Sequence, residues 1–176
     1  MSEPPLLPWL SACLAIFLTG CVSQPAEAPP VERSQPKGRP GPGWARCYSE
    51  FSPSDDAPAD LERLTAACGP PNGLSAVTPV RIGALQAEDG ASERFTFRAR
   101  GGRCYRFFSV GSAEVGDLDL AVLDPAGQLL AADVSDDRFP VVPPSGPLCV
   151  EDDGLYTVEV AVVRGSGRFV LQVWAD

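Results

Sequence analysis

The chain contains no histidine, and its only lysine is Lys37. These absences exclude Ser-His-Asp and Cys-His catalysis, zinc sites that use histidine, and a Schiff-base lysine beyond the amino-terminal region. Carboxylates are the main catalytic side chains that remain, and chance alone explains acidic pairs such as Glu151 and Asp152. The sequence therefore favours a protein that is not an enzyme, with carboxylate-based glycan hydrolysis as the weaker alternative.

The chain also lacks a long hydrophobic run. The apolar stretch from Leu6 to Leu18 is shorter than the roughly 20 residues that span a bilayer, and its length is typical of a signal peptide. Residues 1–10 contain Glu3 and neither Lys nor Arg, unlike the positively charged start of most signal peptides. An ordinary secretory signal is one interpretation of this stretch.

The residues that end the stretch, Leu18-Thr19-Gly20-Cys21, favour another interpretation because they resemble the lipobox of bacterial lipoproteins. The resemblance implies that residues 1–20 are removed, that the Cys21 thiol carries diacylglycerol, and that the new amino terminus is acylated, typically with palmitate. It places the protein in the bacterial cell envelope. Because Val22 rather than Asp follows the cysteine, the resemblance implies an outer membrane lipoprotein that faces the periplasm or the cell surface.

Residues 21–43 are rich in proline and are predicted to form a disordered tether behind the lipid anchor. The membrane is then contacted through the lipid alone. The net charge is −9. This charge argues against a nucleic-acid partner, whereas a protein or polysaccharide ligand stays open.

Four cysteines remain once Cys13 and Cys21 are assigned to the signal peptide and the anchor. An even number in an oxidising compartment favours disulfides, and four cysteines allow three pairings. We predict Cys47–Cys68 and Cys104–Cys149. Metal binding is the alternative, but the sequence has no C-x-x-C pair.

A short helix is predicted from Asp56 to Pro70. Asp56 is suited to cap its amino end, Leu61 and Leu64 share one face, and Gly69 followed by Pro70 ends it. This helix would occupy a disulfide-bonded segment over residues 44–74.

From residue 75 onward the apolar residues alternate in short runs, which predicts strands separated by turns. About eight strands at regular spacing predict an all-β fold, an antiparallel β-sandwich or jelly roll, over residues 75–176. In this prediction Gly165-Ser166-Gly167 forms the turn of the last hairpin. The predicted strands are Val80–Leu85, Arg94–Arg98, Arg103–Val110, Asp117–Leu123, Gln128–Ala132, Pro147–Val150, Leu155–Val162 and Arg168–Trp174.

The β-rich part resembles the bacterial pre-peptidase C-terminal domain, a small β-sandwich of secreted proteins. The most specific match is Asp117-Leu118-Asp119-Leu120, which leads to Asp124-Pro125-Ala126-Gly127; Gly154-Leu155-Tyr156-Thr157-Val158 is a weaker one. The resemblance implies a non-catalytic domain, some of whose relatives bind collagen, polysaccharide or calcium. The helical segment lies outside the match and resembles additions in lipoproteins of high-GC bacteria such as myxobacteria.

Asp117 and Asp119 alternate along one strand, so both carboxylates are predicted to lie on one face. With the nearby aspartates they are candidate oxygen ligands for Ca²⁺, and a solvated acidic face is the simpler interpretation. Tyr48, Tyr105, Tyr156 and Trp174 are candidate contacts for a sugar or peptide, although tyrosine and tryptophan more often pack in a core. The arginines are expected on outward faces.

Together these observations predict a lipid-anchored binding or structural protein of the envelope without catalytic activity. The alternative is an accessory or inhibitory subunit that docks on a secreted hydrolase.

Overall fold

A computed structural model describes residues 47–176; the predicted signal peptide, the lipidated Cys21 and the tether lie outside the described residues. Over residues 47–176 the fold is all-β with one α-helix, α1 (Ala57–Cys68), as the sequence predicted. Within residues 47–176, no helix is long and apolar enough to cross a membrane. The strands are β1 Ser75–Ala76, β2 Arg81–Gln86, β3 Ser92–Ala99, β4 Cys104–Gly111, β5 Val115–Leu123, β6 Leu129–Asp133, β7 Val141–Val142, β8 Leu148–Cys149 and β9 Gly154–Ala175.

The long strand β9 organises the antiparallel sheet, whose main order is β6-β5-β9-β4-β7. Its first half pairs with β3 on one side and β5 on the other. Its second half pairs with β1 and β2 on one side and β4 on the other. The sheet therefore consists of two halves joined through β9, and these halves pack face to face as the two layers of a sandwich.

The predicted last hairpin at residues 165–167 is wrong. Residues 154–175 form one strand, and its two halves pair with different strands instead of with each other. The backbone at Gly165 has a φ of +87°, and a Cβ there would lie 2.2 Å from the carbonyl oxygen of Glu114. Because glycine has no Cβ, the chain at Gly165 passes close to the Glu114 backbone as it crosses from one layer to the other. Sequence alone does not distinguish a glycine of this kind from a glycine in a turn.

The core lies between the two layers. Phe95 on β3 meets Phe169 on β9 with ring centroids 6.1 Å apart, and Phe97 meets Phe107 on β4 at 5.5 Å. Tyr105 and Tyr156, which sequence favoured as core residues, are buried in the same cluster. Such inward-facing aromatic and β-branched residues supply most of the apolar area that the sandwich removes from water.

The helix α1 packs on the outer face of the layer that contains β4. Asp56 accepts a hydrogen bond from the Ala59 amide and caps the helix, and the Gly69 amide bonds to Thr65 at its other end. Leu61 and Leu64 are buried against β4 and β9. The helix therefore covers one sandwich layer from outside, as its single apolar face requires.

Arg106 on β4 contradicts the expectation that the arginines face outward, because its side chain is fully buried. Its guanidinium lies 5.5 Å from the Tyr48 ring centroid and donates to the Pro144 carbonyl oxygen at 3.1 Å. Burial is the main cause that raises the pKa of Tyr48 and lowers the pKa of Arg106. Arg106 thus joins the segment before α1 to the sheet.

Candidate functional site

An apolar groove runs between α1 and strand β2, and we call it the α1–β2 groove. One lobe of about 360 Å³ lies at the start of α1, and a second of about 420 Å³ follows the helix toward Trp174. Pro58 lines both lobes. The first lobe is lined by Asp55, Asp56, Ala57, Pro58, Ile82, Ser112, Arg168, Phe169 and Val170. The second is lined by Pro58, Leu61, Glu62, Thr65, Ala66, Pro70, Val80, Gln172 and Trp174.

The β2 wall of the groove exposes large apolar side chains to solvent. Val80 is 45% exposed and Ile82 is 58% exposed. Ile82 stands opposite Val170 of β9 in the ladder, and both residues line the first lobe. Because α1 covers β4 but stops short of β2, this strip of the sheet face is left without a covering element. Exposed apolar strips of this kind mark binding surfaces.

The backbone of β2 is also available on one side. Among the described strands, β2 pairs with β9 alone, through residues 81–86. Its opposite edge pairs with no strand of residues 47–176. Such an edge is a template for the addition of another chain.

The helix wall of the groove is acidic. Asp55, Asp56 and Glu62 are exposed along it, and Arg168 lies in the first lobe. The Asp55 carboxylate forms a long ion pair with the Arg138 guanidinium, with 4.0 Å between oxygen and nitrogen. The groove therefore combines an apolar floor with a negative rim, an arrangement that complements a segment carrying apolar and basic side chains.

A second feature is the aspartate cluster, which consists of Asp117, Asp119, Asp133, Asp136 and Asp137. The first two lie on β5, the third ends β6, and the last two follow in the loop toward β7. The loop is held against β5 because the Leu118 amide donates to the Asp137 carbonyl oxygen. Asp133 and Asp137 bind local donors, including the hydroxyl of Ser135.

Asp117 and Asp119 lack such donors. Neither side chain forms a hydrogen bond or ion pair within residues 47–176, and Asp117 is only 5% exposed. Burial raises the pKa of Asp117, the other aspartates raise it further, and Arg164 opposes the change. Burial, followed by the charge of Asp117, raises the pKa of Asp119 to about 6. Asp117 thus holds a buried carboxylate oxygen without a hydrogen-bond partner, beside the partly buried carboxylate of Asp119.

The arrangement of the acidic side chains does not favour the calcium site that the sequence predicted at Asp117 and Asp119. Calcium takes six to eight oxygen ligands, and no three acidic or cysteine side chains within residues 47–176 converge closely enough to hold a metal ion. Asp117 and Asp119 are neighbours on one strand, but they supply two carboxylates. Calcium binding there stays a prediction.

The remaining predicted residues have structural roles or lie apart. Disulfides join Cys47 to Cys68 and Cys104 to Cys149, the pairing expected from sequence. Tyr48 is buried beneath α1, and its hydroxyl donates to the Pro144 carbonyl oxygen. The carboxylates of residues 151 and 152 are exposed on the loop before β9, and they line neither lobe of the groove.

Sequence reasoning did not identify the α1–β2 groove. It predicted both the helix and the strand, but the groove arises from the position of α1 across the sheet, which depends on long-range packing. Two signals were present in the sequence: Val80 and Ile82 flank Arg81 near the start of an edge strand, and Trp174, a candidate ligand contact, lines the second lobe.

Comparison with known proteins adds a distant likeness in fold. No family model matches the chain, and no curated protein matches it. Among solved structures, it is similar to Aeromonas hydrophila PliG, a periplasmic lysozyme inhibitor of g-type lysozyme. The TM-score is 0.40 and the identity 16%, over 58% of this chain and 89% of that chain. A likeness of this size does not bear on what this chain binds.

Proposed function

We propose that this protein is a non-catalytic, lipid-anchored binding protein of the bacterial envelope. Its α1–β2 groove captures an extended segment of a protein partner. The observation that carries the proposal is the open edge of β2 beside the exposed side chains of Val80 and Ile82. The lipobox at Cys21 supports the anchor, and the two disulfides are typical of proteins that fold outside the cytoplasm.

The partner segment adds as a strand to β2. Its backbone pairs with the open edge, and alternate side chains enter the two lobes, because successive side chains of a strand point to opposite faces. Asp55, Asp56 and Glu62 along the rim favour a segment that carries lysine or arginine between its apolar residues.

The resemblance to the pre-peptidase C-terminal domain fits this proposal, since that family is implied to act through binding. If the partner is a secreted hydrolase, the same groove serves an accessory or inhibitory subunit. A panel of purified envelope hydrolases separates these roles. If the wild-type chain inhibits one of these hydrolases and the Ile82→Glu variant does not, the protein is an inhibitor. If the wild-type chain binds a hydrolase without changing its activity, its role is adhesive.

Photo-crosslinking from within the groove tests the proposal. A crosslinking amino acid replaces Ile82 in the full-length chain in its own cells, and a matched chain carries it at Thr96, which is exposed on the other layer. We expect a discrete adduct with one extracytoplasmic protein from position 82 and none from position 96. The same adducts from both positions, or no adduct from position 82, would contradict the proposal.

A further inference from the structure

The aspartate cluster contains one carboxylate that the described residues do not neutralise. Two acidic side chains within residues 47–176 have a buried oxygen without a hydrogen-bond partner, on Asp60 and Asp117. Asp60 pairs through its other oxygen with Ser54 and Arg63. Asp117 has no such pair. A buried charge without a partner is costly to the fold, so its compensation from outside would be favourable.

Arg164 lowers the pKa of Asp117 but does not pair with its carboxylate. Arg164 of β9 stands opposite Asp117 in the ladder, but its guanidinium donates to the Gly116 carbonyl oxygen at 2.9 Å. It forms no ion pair with Asp117 or Asp119 among the described residues. Asp136, in the adjoining loop, also has no ion pair there and adds to the negative potential at both carboxylates.

The number of carboxylates that converge favours one kind of cation over another. A metal ion needs its ligands to converge within one small coordination sphere, and no three acidic side chains of residues 47–176 do so. A guanidinium is a planar fork with five N–H donors, so one or two carboxylates are enough to bind it. It is also more weakly hydrated than an ammonium, which suits a site that is partly buried.

We propose that the aspartate cluster is a receptor for an arginine side chain presented by a binding partner. The guanidinium enters at the partly exposed Asp119 and shares its charge with Asp117 behind it. Asp136 flanks the entry, while Asp133 and Asp137 are held by the Ser135 hydroxyl and fix the loop. None of the five aspartates lines the α1–β2 groove, so this site is independent of the function proposed for the groove.

Binding of a labelled nona-arginine peptide to the full-length chain tests this site, with nona-lysine as the comparison. We expect tighter binding of nona-arginine, and a loss of about tenfold in affinity in the double variant Asp117→Asn with Asp119→Asn. The matched control is Glu151→Gln with Asp152→Asn, which removes two exposed charges elsewhere and should weaken binding by less than about twofold.

Three results would overturn the proposal. Equal weakening by the two double variants would show general attraction to an acidic protein. Equal affinity for both peptides would remove the guanidinium preference. Micromolar calcium that displaces nona-arginine, and that requires the Asp117 and Asp119 carboxylates, would assign the cluster to a metal. Asp119→Asn alone serves as the test if the double variant unfolds, and none of these results depends on crosslinking from the groove.

Discussion

The raised pKa of Asp119 makes a prediction about folding stability. We expect Asp119→Asn to be more stable than wild type at pH 7.5 and nearly equal to it at pH 4. The side chain is partly buried beside other carboxylates, which raises its pKa from an ordinary value of 3.8 to about 6. The folded state therefore holds a proton that the unfolded state releases between these two values.

The sign and size follow from this difference. Because the folded state binds more protons, the stability contributed by Asp119 is fully present below about pH 4 and is lost as the pH rises through about 6. A pKa near 6 in place of 3.8 corresponds to roughly 3 kcal/mol. Solvent screening at a partly exposed side chain reduces this to about 1–2 kcal/mol.

Urea unfolding of the full-length chain, with its disulfides intact and followed by tryptophan fluorescence, measures the effect at pH 4, 5, 6 and 7.5. The informative quantity is the difference between variant and wild type, since other groups titrate in both. Asp152→Asn, on an exposed loop, is the control and should leave the difference near zero at every pH. A variant that is less stable than wild type at pH 7.5, or a difference that does not change with pH, would contradict a raised pKa of Asp119.

Three further predictions concern the stability of the fold and the affinity of the protein for calcium. Arg106→Ala should lower the free energy of unfolding by about 2–4 kcal/mol in denaturant titrations. The reason is that it removes a buried side chain that packs on Tyr48 and donates to the Pro144 carbonyl oxygen. A loss below about 0.5 kcal/mol would contradict this role. Gly165→Ala should lower the thermal midpoint strongly, since its Cβ would lie 2.2 Å from the Glu114 carbonyl oxygen. The control Gly146→Ala should leave the midpoint nearly unchanged, because a Cβ there meets nothing within 4 Å. Calcium at Asp117 and Asp119 should bind no more tightly than about millimolar in a calorimetric titration, because no three acidic side chains of residues 47–176 converge. Micromolar binding would contradict this expectation.

Local patterns were sufficient to predict most of the elements of this fold. The helix predicted from Asp56 to Pro70 is found at Ala57–Cys68, and the alternating run at Arg94–Arg98 lies within β3. These elements follow from capping residues and from apolar periodicity, both of which are local. The all-β class follows from the number and spacing of such runs.

Contacts between distant segments explain the features that sequence did not predict. Gly165 has the local chemistry of a turn, but the carbonyl of Glu114 makes it a crossing point between layers. Arg106 alternates like a surface residue, but the segment at Tyr48 and the loop at Pro144 bury it. The shared face of Asp117 and Asp119 was predicted from alternation. The approach of the loop at Asp137 was not, because it depends on one long-range backbone hydrogen bond.

The claim that a partner strand adds to β2 is tested by hydrogen exchange. The full-length chain is measured alone and with the protein identified by crosslinking from position 82. We expect slower exchange of amides within Arg81–Gln86 in the complex, with no change in β3, none of whose residues lines the groove. Unchanged exchange in β2 with a bound partner would contradict the claim.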